Sequence, residues 1–225
     1  MGTFTGPNII QDNLVFAIDV GSTRSYPGSG TTVSDLEGVN NGTLSNGVGF
    51  NTANGGFLEF DGSDDRLTLT SNVTLGNGNL AWTASAWIKT TNTVSGLGAG
   101  PIITNDDASP VYSVMSVNSG KMCYWTYQSS AWAQKLGVAT ISDGNWHLLT
   151  WVNNTNYTMD MYVDGVFDKN VANSTSGGNN NIDAIGNSWN SIFDGDIAPV
   201  YIYQGKSLTA AEVLHNYNAQ KSRFL

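Results

Sequence analysis

Glu37, Glu59 and Glu212 are the three glutamates in a chain of 225 residues, and their positions decide what acid–base chemistry is open to it. A retaining glycosidase holds two carboxyl groups about 5 Å apart across the scissile bond. Glu37 falls in a Gly/Ser-rich stretch, Glu59 stands alone in FLEF, and Glu212 lies four residues after Leu208 in a helix-start pattern. No glutamate pair shares a strand face. Asp64/Asp65, Asp106/Asp107 and Asp194/Asp196 sit in turn-like segments, where aspartate is favoured for bonding its own backbone. An inverting pair assembled from distant carboxylates stays open, but the expectation is a protein without catalytic residues. The two histidines, His147 and His215, come with no serine or cysteine motif, which points to packing or surface roles rather than a base or ligand pair. Cys123, the single cysteine, reads as a small buried hydrophobe, and no intrachain disulfide can form.

Aromatic residues carry the other chemical signal. Seven Trp and nine Tyr are many for this length, and the apolar faces of pyranose rings stack on such side chains. Trp82, Trp87, Trp146, Trp151, Tyr162 and Tyr201 fall within alternating segments and are expected in the core. Trp125, Tyr127, Trp132 and Trp189 lie in the middle region or a late loop. They form either a ligand-binding face or further core and inter-subunit packing.

Three alternating segments must position these groups: Leu80 to Lys89, Asn145 to Gly165 and Phe193 to Tyr203. Period-two hydrophobicity predicts strands, with Trp82, Ala84, Ala86 and Ile88, and likewise Trp146, Leu148 and Val152, facing the interior between two sheets. Further strands are expected at 14–18, 57–60 and 66–70, four between 102 and 136, and short ones near Val166 and Ile182. The stretch from Gly21 to Gly49 reads as a long loop. Asn-Gly or Asp-Gly pairs beginning at Asn41, Asn46, Asn54, Asp61, Asn77, Asp143, Asp164 and Asp194 supply the tight turns. Thr209-Ala210-Ala211-Glu212 is a capping box, and it starts one helix with Ala210, Val213, Leu214 and Tyr217 on a single face.

Charged residues make up 12% of the chain, and the net charge is −9. That argues against a nucleic-acid partner, which would need clustered Lys and Arg. No run of about 18 apolar residues exists to cross a membrane as a helix. The opening MGTFTGPNII lacks a basic then apolar leader, so the expectation is synthesis without the usual export signal.

The order LAWTASAWIK, NWHLLTWVNNTNYTMDMYVDG, FDGDIAPVYIY resembles the laminin-G-like, concanavalin A-like domains across roughly residues 12 to 205. The resemblance implies an all-β, two-sheet antiparallel jelly-roll sandwich with a short C-terminal helix. It also implies calcium: relatives hold Ca²⁺ near the sandwich rim through Asp oxygens and carbonyls, and Asp64 and Asp65 of DGSDD occupy such a loop. The alternative is that both merely cap the hairpin turn. No cofactor is required on this reading; a structural Ca²⁺ is the one candidate. The opening GPNIIQDNLVFAIDVGSTRSYPGSG, the FDGSDDRL hairpin and the closing SLTAAEVLHNYNAQKSRF further resemble a subgroup found in virion proteins of tailed bacteriophages.

That subgroup implies a capsid decoration, cement or head-fibre protein on the particle exterior, partnered by the major capsid protein or another virion protein. Host-surface polysaccharide is a second partner, and a homo-oligomer is compatible with either. The alternative function is a carbohydrate-binding module of a tail fibre or adhesin. Three regions are expected: an arm at 1–11, the jelly roll at 12–205, and a helix with a basic tail at 206–225. Lys206, Lys221 and Arg223 against Glu212 give the tail positive charge in an acidic chain. Lys221, Arg223, Phe224 and Leu225 are therefore expected to bind a partner, and removing 1–11 or 220–225 to leave the domain folded.

Overall fold

Turns break the chain at several of the marked dipeptides: Asn46, Asn54 and Asp164 adopt positive φ, as do Gly62 and Gly144, whereas Asp194 and Gly195, expected in a turn, lie in a strand opposite Asp61 and Phe60. At the Asp164-Gly165 hairpin both central residues are left-handed, at φ 54° and 77°. That is the type I′ geometry which matches strand twist. The computed structural model describes residues 8–38, 40–76, 79–105, 113–128, 131–173, 180–188 and 191–225, leaving aside the side chains of 127 and 128.

Eighteen strands and one α-helix occur among the described residues. In chain order they are β1 (Leu14–Ile18), β2 (Thr32–Val33), β3 (Gly42–Ser45), β4 (Gly49–Asn51), β5 (Phe57–Asp61), β6 (Arg66–Gly76), β7 (Trp82–Lys89), β8 (Pro101–Thr104) and β9 (Ser113–Asn118). There follow β10 (Lys121–Gln128), β11 (Ala131–Thr140), β12 (Trp146–Asn153), β13 (Thr158–Val163), β14 (Val166–Ala172), β15 (Asn180–Ile185), β16 (Asn187–Ser188), β17 (Ser191–Ile192), β18 (Asp194–Gln204) and the helix α1 (Ala210–Phe224). One eight-stranded sheet runs β14-β13-β12-β7-β18-β5-β4, with β1 also paired to β18; the other runs β11-β10-β9-β8-β15-β6-β3-β2. All the pairings are antiparallel. We call these sheets A and B. The fold is the expected jelly-roll sandwich. The 21–49 stretch is more structured than expected, since it contributes β2, β3 and the start of β4.

Between the sheets lie Trp82, Ala84, Ala86 and Ile88 of β7, Leu149 and Trp151 of β12, and Met115, Met122 and Tyr124 of sheet B. Each large side chain fully buried there stabilises the fold by about 2 kcal/mol. The β7 alternation is as the sequence predicts, whereas β12 is turned over. Trp146 and Leu148 pack outside sheet A with Trp87 and Phe224, and Val152 packs outside it with Tyr203 and Val213. Because α1 covers the outer face of sheet A, β12 is apolar on both faces, and period two cannot say which face is inward.

The capping box forms as read. Thr209 N donates to Glu212 Oε2 at 2.8 Å and Glu212 N to Thr209 Oγ1 at 3.3 Å. The buried face of α1 is nevertheless rotated toward Val213, Asn216 and Phe224, leaving Leu214 44% exposed. Asn216 is the reason. Its Oδ1 accepts from Ile10 N and its Nδ2 donates to Tyr203 Oη, which itself donates to Ile10 O. Residues 8–11, expected as part of a detached arm, are thereby tied to α1 and sheet A.

Candidate functional site

The outer face of sheet B brings two of the predicted ring residues together. In the β10–β11 register Trp125 lies opposite Gln134, Cys123 opposite Leu136, and Tyr127 opposite Trp132. On the other side Trp125 faces Val114 and Cys123 faces Ser116. Since Met122 and Tyr124 point into the core, alternation sends Cys123 and Trp125 outward. There Val114, Cys123 and Trp125 form a small apolar cluster, with Trp132 and Leu136 partly buried against it. Trp125 is 9% exposed, and its indole N–H has no hydrogen-bond partner among the described residues, whereas the Ser116 hydroxyl is spent on the Cys123 sulfur. Burial pushes the Cys123 thiol up to about 11, so it packs and does not react. Of Tyr127 only the backbone is described, and Trp189 lies outside the described residues. The arrangement offers a half-buried ring beside one unused indole donor, which suits a ligand with an apolar face and hydroxyl edges.

At one rim, the β5–β6 turn gathers Asp61, Asp64 and Asp65, each offering an oxygen within 4.8 Å of the others. Asp65 is only 2% exposed. Its Oδ2 accepts from Asp61 N at 2.9 Å, while its Oδ1 is buried without a partner. Burial above all, with the charges of Asp61 and Asp64, pushes the Asp65 carboxyl above its ordinary value against the amide bond from Asp61. Three carboxylates with one oxygen unsatisfied fit a hard cation such as Ca²⁺. Asp61 was missed in the sequence, although it opens the same Asp-Gly turn.

Two carboxylate constellations were invisible in the sequence because distant strands assemble them. Asp196 of β18 lies in register opposite Glu59 of β5. Asn51 Nδ2 donates to Glu59 Oε1 at 3.1 Å, and Lys89 Nζ sits 3.7 Å from Asp196 Oδ2. The second centres on His147, whose Nδ1 is 2.7 Å from Asp164 Oδ2 and whose Nε2 is 3.1 Å from Asp143 Oδ1. The Asp164 hydrogen bond foremost, and then Asp143, raise the imidazole above its ordinary value despite burial. With both ring nitrogens engaged, His147 has no free lone pair with which to serve a substrate. His215 Nε2 meets Asn8 O at 2.8 Å.

The tail residues divide. Arg223 Nη1 pairs with both carboxylate oxygens of Asp19 at 2.9 and 2.8 Å, and its other nitrogens reach the carbonyls of Asn54, Gly55 and Gly56. Phe224 stacks on Trp87 with centroids 4.3 Å apart and tilts against Trp146 at 5.0 Å. These two residues, expected to anchor a partner, are engaged within the chain. Lys221 lies over the Tyr217 ring, and Leu225 is 72% exposed.

Residues 61–214 match the laminin G family model described as the concanavalin A-like lectin/glucanases superfamily; the chain belongs to that family. No curated protein matches it significantly in sequence. Among solved structures, the receptor-binding domain of botulinum neurotoxin C/D mosaic serotype superposes with a TM-score of 0.69 at 14% identity, covering 94% of this chain and 52% of that one. The binding domain of Paraclostridial Mosquitocidal Protein 1 gives 0.65 at 16% identity, with 91% and 52% covered. A botulinum neurotoxin type C structure, described in connection with cell entry dependent upon interaction with two ganglioside molecules, gives 0.65 at 14%, with 92% and 51% covered. The chain thus spans about half the length of these proteins, and the likeness is one of fold. Among the described residues, no helix is long and apolar enough to cross a membrane.

Proposed function

We propose that this chain is a non-catalytic recognition module that binds carbohydrate on the outer face of sheet B, with Trp132 as the stacking platform and Trp125 beneath it. The carrying observation is the Trp125–Trp132 cluster: a partly exposed ring packed beside an indole N–H that has no partner among the described residues. The opposite sheet has much of its outer face covered by α1 and residues 8–11, so the broad open strand surface is that of sheet B. Solved relatives described as receptor-binding domains support recognition over catalysis. So does the engagement of Glu59, Asp196 and His147 with neighbouring side chains. A glycan array probed with wild type and Trp132→Ala tests this. Loss of the wild-type signal in the variant is expected, and equal binding by both would refute it.

The setting we propose is the exterior of a tailed-phage particle, as a decoration, cement or head-fibre component, with host-surface polysaccharide as the ligand. What supports it is the likeness of the opening, hairpin and closing segments to phage virion proteins. Contact with the major capsid protein or another virion protein would use the outward Lys221 and Leu225, with Arg223 and Phe224 holding the tail in place. Immunogold labelling of intact particles tests the location, and label confined to host cells would contradict it. A structural Ca²⁺ on Asp61, Asp64 and Asp65 completes the reading.

A further inference from the structure

A second concave site lies on the opposite side of the sandwich from Trp132. Residues 8–11, the loop after β1, the segment around Gly55, and the last turns of α1 enclose an open cleft of about 410 Å³, a size usual for small-ligand sites. Tyr201 lines it from β18, and it faces outward because Val200 and Ile202 on either side belong to the core. Tyr201 is 6% exposed. Asp19 and Arg223 act on its hydroxyl only through their charges, and no described residue hydrogen-bonds it. Gln220, also lining the cleft, donates from Nε2 to Asn216 O but leaves Oε1 buried without a partner. Buried polar groups are nearly always partnered, so the orphaned Gln220 Oε1 calls for a donor, and the Tyr201 hydroxyl in the same cleft can both donate and accept.

Charge narrows the class. Asp19 and Arg223 are the charged residues lining the cleft, and they neutralise each other, with the remaining guanidinium donors taken by three carbonyls. No uncompensated charge is left to hold an anion or a cation. Ser22 and Ser222 add hydroxyls, while Ile9 and Ala219 add apolar surface. We infer that this cleft is a second carbohydrate site, taking one or two neutral sugar rings, whose hydroxyls donate to Gln220 Oε1 and exchange hydrogen bonds with the Tyr201 hydroxyl. The inference shares the carbohydrate class with the proposed function but not its residues.

The test is saturation-transfer NMR on the whole chain with methyl glycosides of glucose, galactose, mannose and N-acetylglucosamine and with their common disaccharides. Amide shifts would then map the binding site. At least one sugar is expected to move the amides of Gly21, Ser22, Ala219 and Ser222. Tyr201→Phe should weaken that sugar about tenfold, and Gln220→Met several-fold. Tyr201→Phe should not lower the melting temperature, because the hydroxyl bonds nothing in the chain. Full binding by Tyr201→Phe, or shifts confined to Trp132, Gln134 and their neighbours, would overturn the cleft site while leaving the sheet B reading intact. Silence across the whole panel would count against both.

Discussion

Asp65 shows what a single residue can carry. Buried beside two other carboxylates with one oxygen unpartnered, it is held above its ordinary titration range. In the absence of a cation its ionisation therefore works against the fold, and stability declines as pH rises through the raised value. Calcium at about 100 times its dissociation constant should add roughly 2.7 kcal/mol, or several degrees of melting temperature. EDTA should remove that gain and Asp65→Asn should abolish the response, read by thermal denaturation. An unchanged calcium shift in Asp65→Asn would exclude the site. His147 has the same sign for a different cause. Its folded value is raised above 6.5 by Asp164 and Asp143, so the clasp stabilises fully below pH 6.5 and is lost as pH rises through the raised value. His147→Gln should flatten the melting curve's pH dependence above 6.5 by about 1 kcal/mol, a modest figure because both carboxylates are partly solvated. That Asp64 and Asp65 share one turn was legible, because adjacent aspartates after an Asp-Gly pair mark a loop. The His147 clasp was not, because Asp164 also served to mark a hairpin and nothing local shows that the turn folds back over β12.

At the scale of elements, α1 is better joined to the domain than its sequence suggested. The capping box was legible because all its partners lie within four residues. The docked face was not, because it depends on Asn216, whose partners Ile10 and Tyr203 are far away in sequence. Phe224 and Arg223 looked like a free tail for the same reason. Phe224→Ala should cost about 3 kcal/mol by emptying the site against Trp87 and Trp146. Breaking the largely buried Asp19 pair with Arg223→Leu should cost a similar amount, about 3 kcal/mol. Deleting 220–225 is then expected to lower the melting temperature by roughly 10 °C or more, measurable by calorimetry. A truncated chain that melts like wild type would mean that these contacts contribute nothing. The strands themselves were legible wherever one period dominated, as in β7. They misled in β12, whose two faces are both buried.

The whole molecule is a sandwich with unequal sides: sheet A is largely covered by its own terminal segments, and sheet B keeps the partly exposed Trp132 ring on its outer surface. Composition alone pointed to many short strands and away from nucleic acid. It could not divide the tryptophans between core and surface, because that depends on which sheet α1 covers. A recognition module of this kind should leave β-glucans, alginate and bacterial surface polysaccharide uncleaved after long incubation. Reducing-end release that disappears in Glu59→Gln would place Glu59 and Asp196 in a catalytic role instead. The central claim, carbohydrate on the outer face of sheet B, is tested most directly by titration calorimetry. The titrant is the tightest glycan found on the array, measured against wild type and Trp132→Ala. The account predicts at least tenfold weaker binding in the variant, with its melting temperature within about 4 °C of wild type, since Trp132 is only partly buried. Equal affinity in a folded Trp132→Ala protein would contradict it.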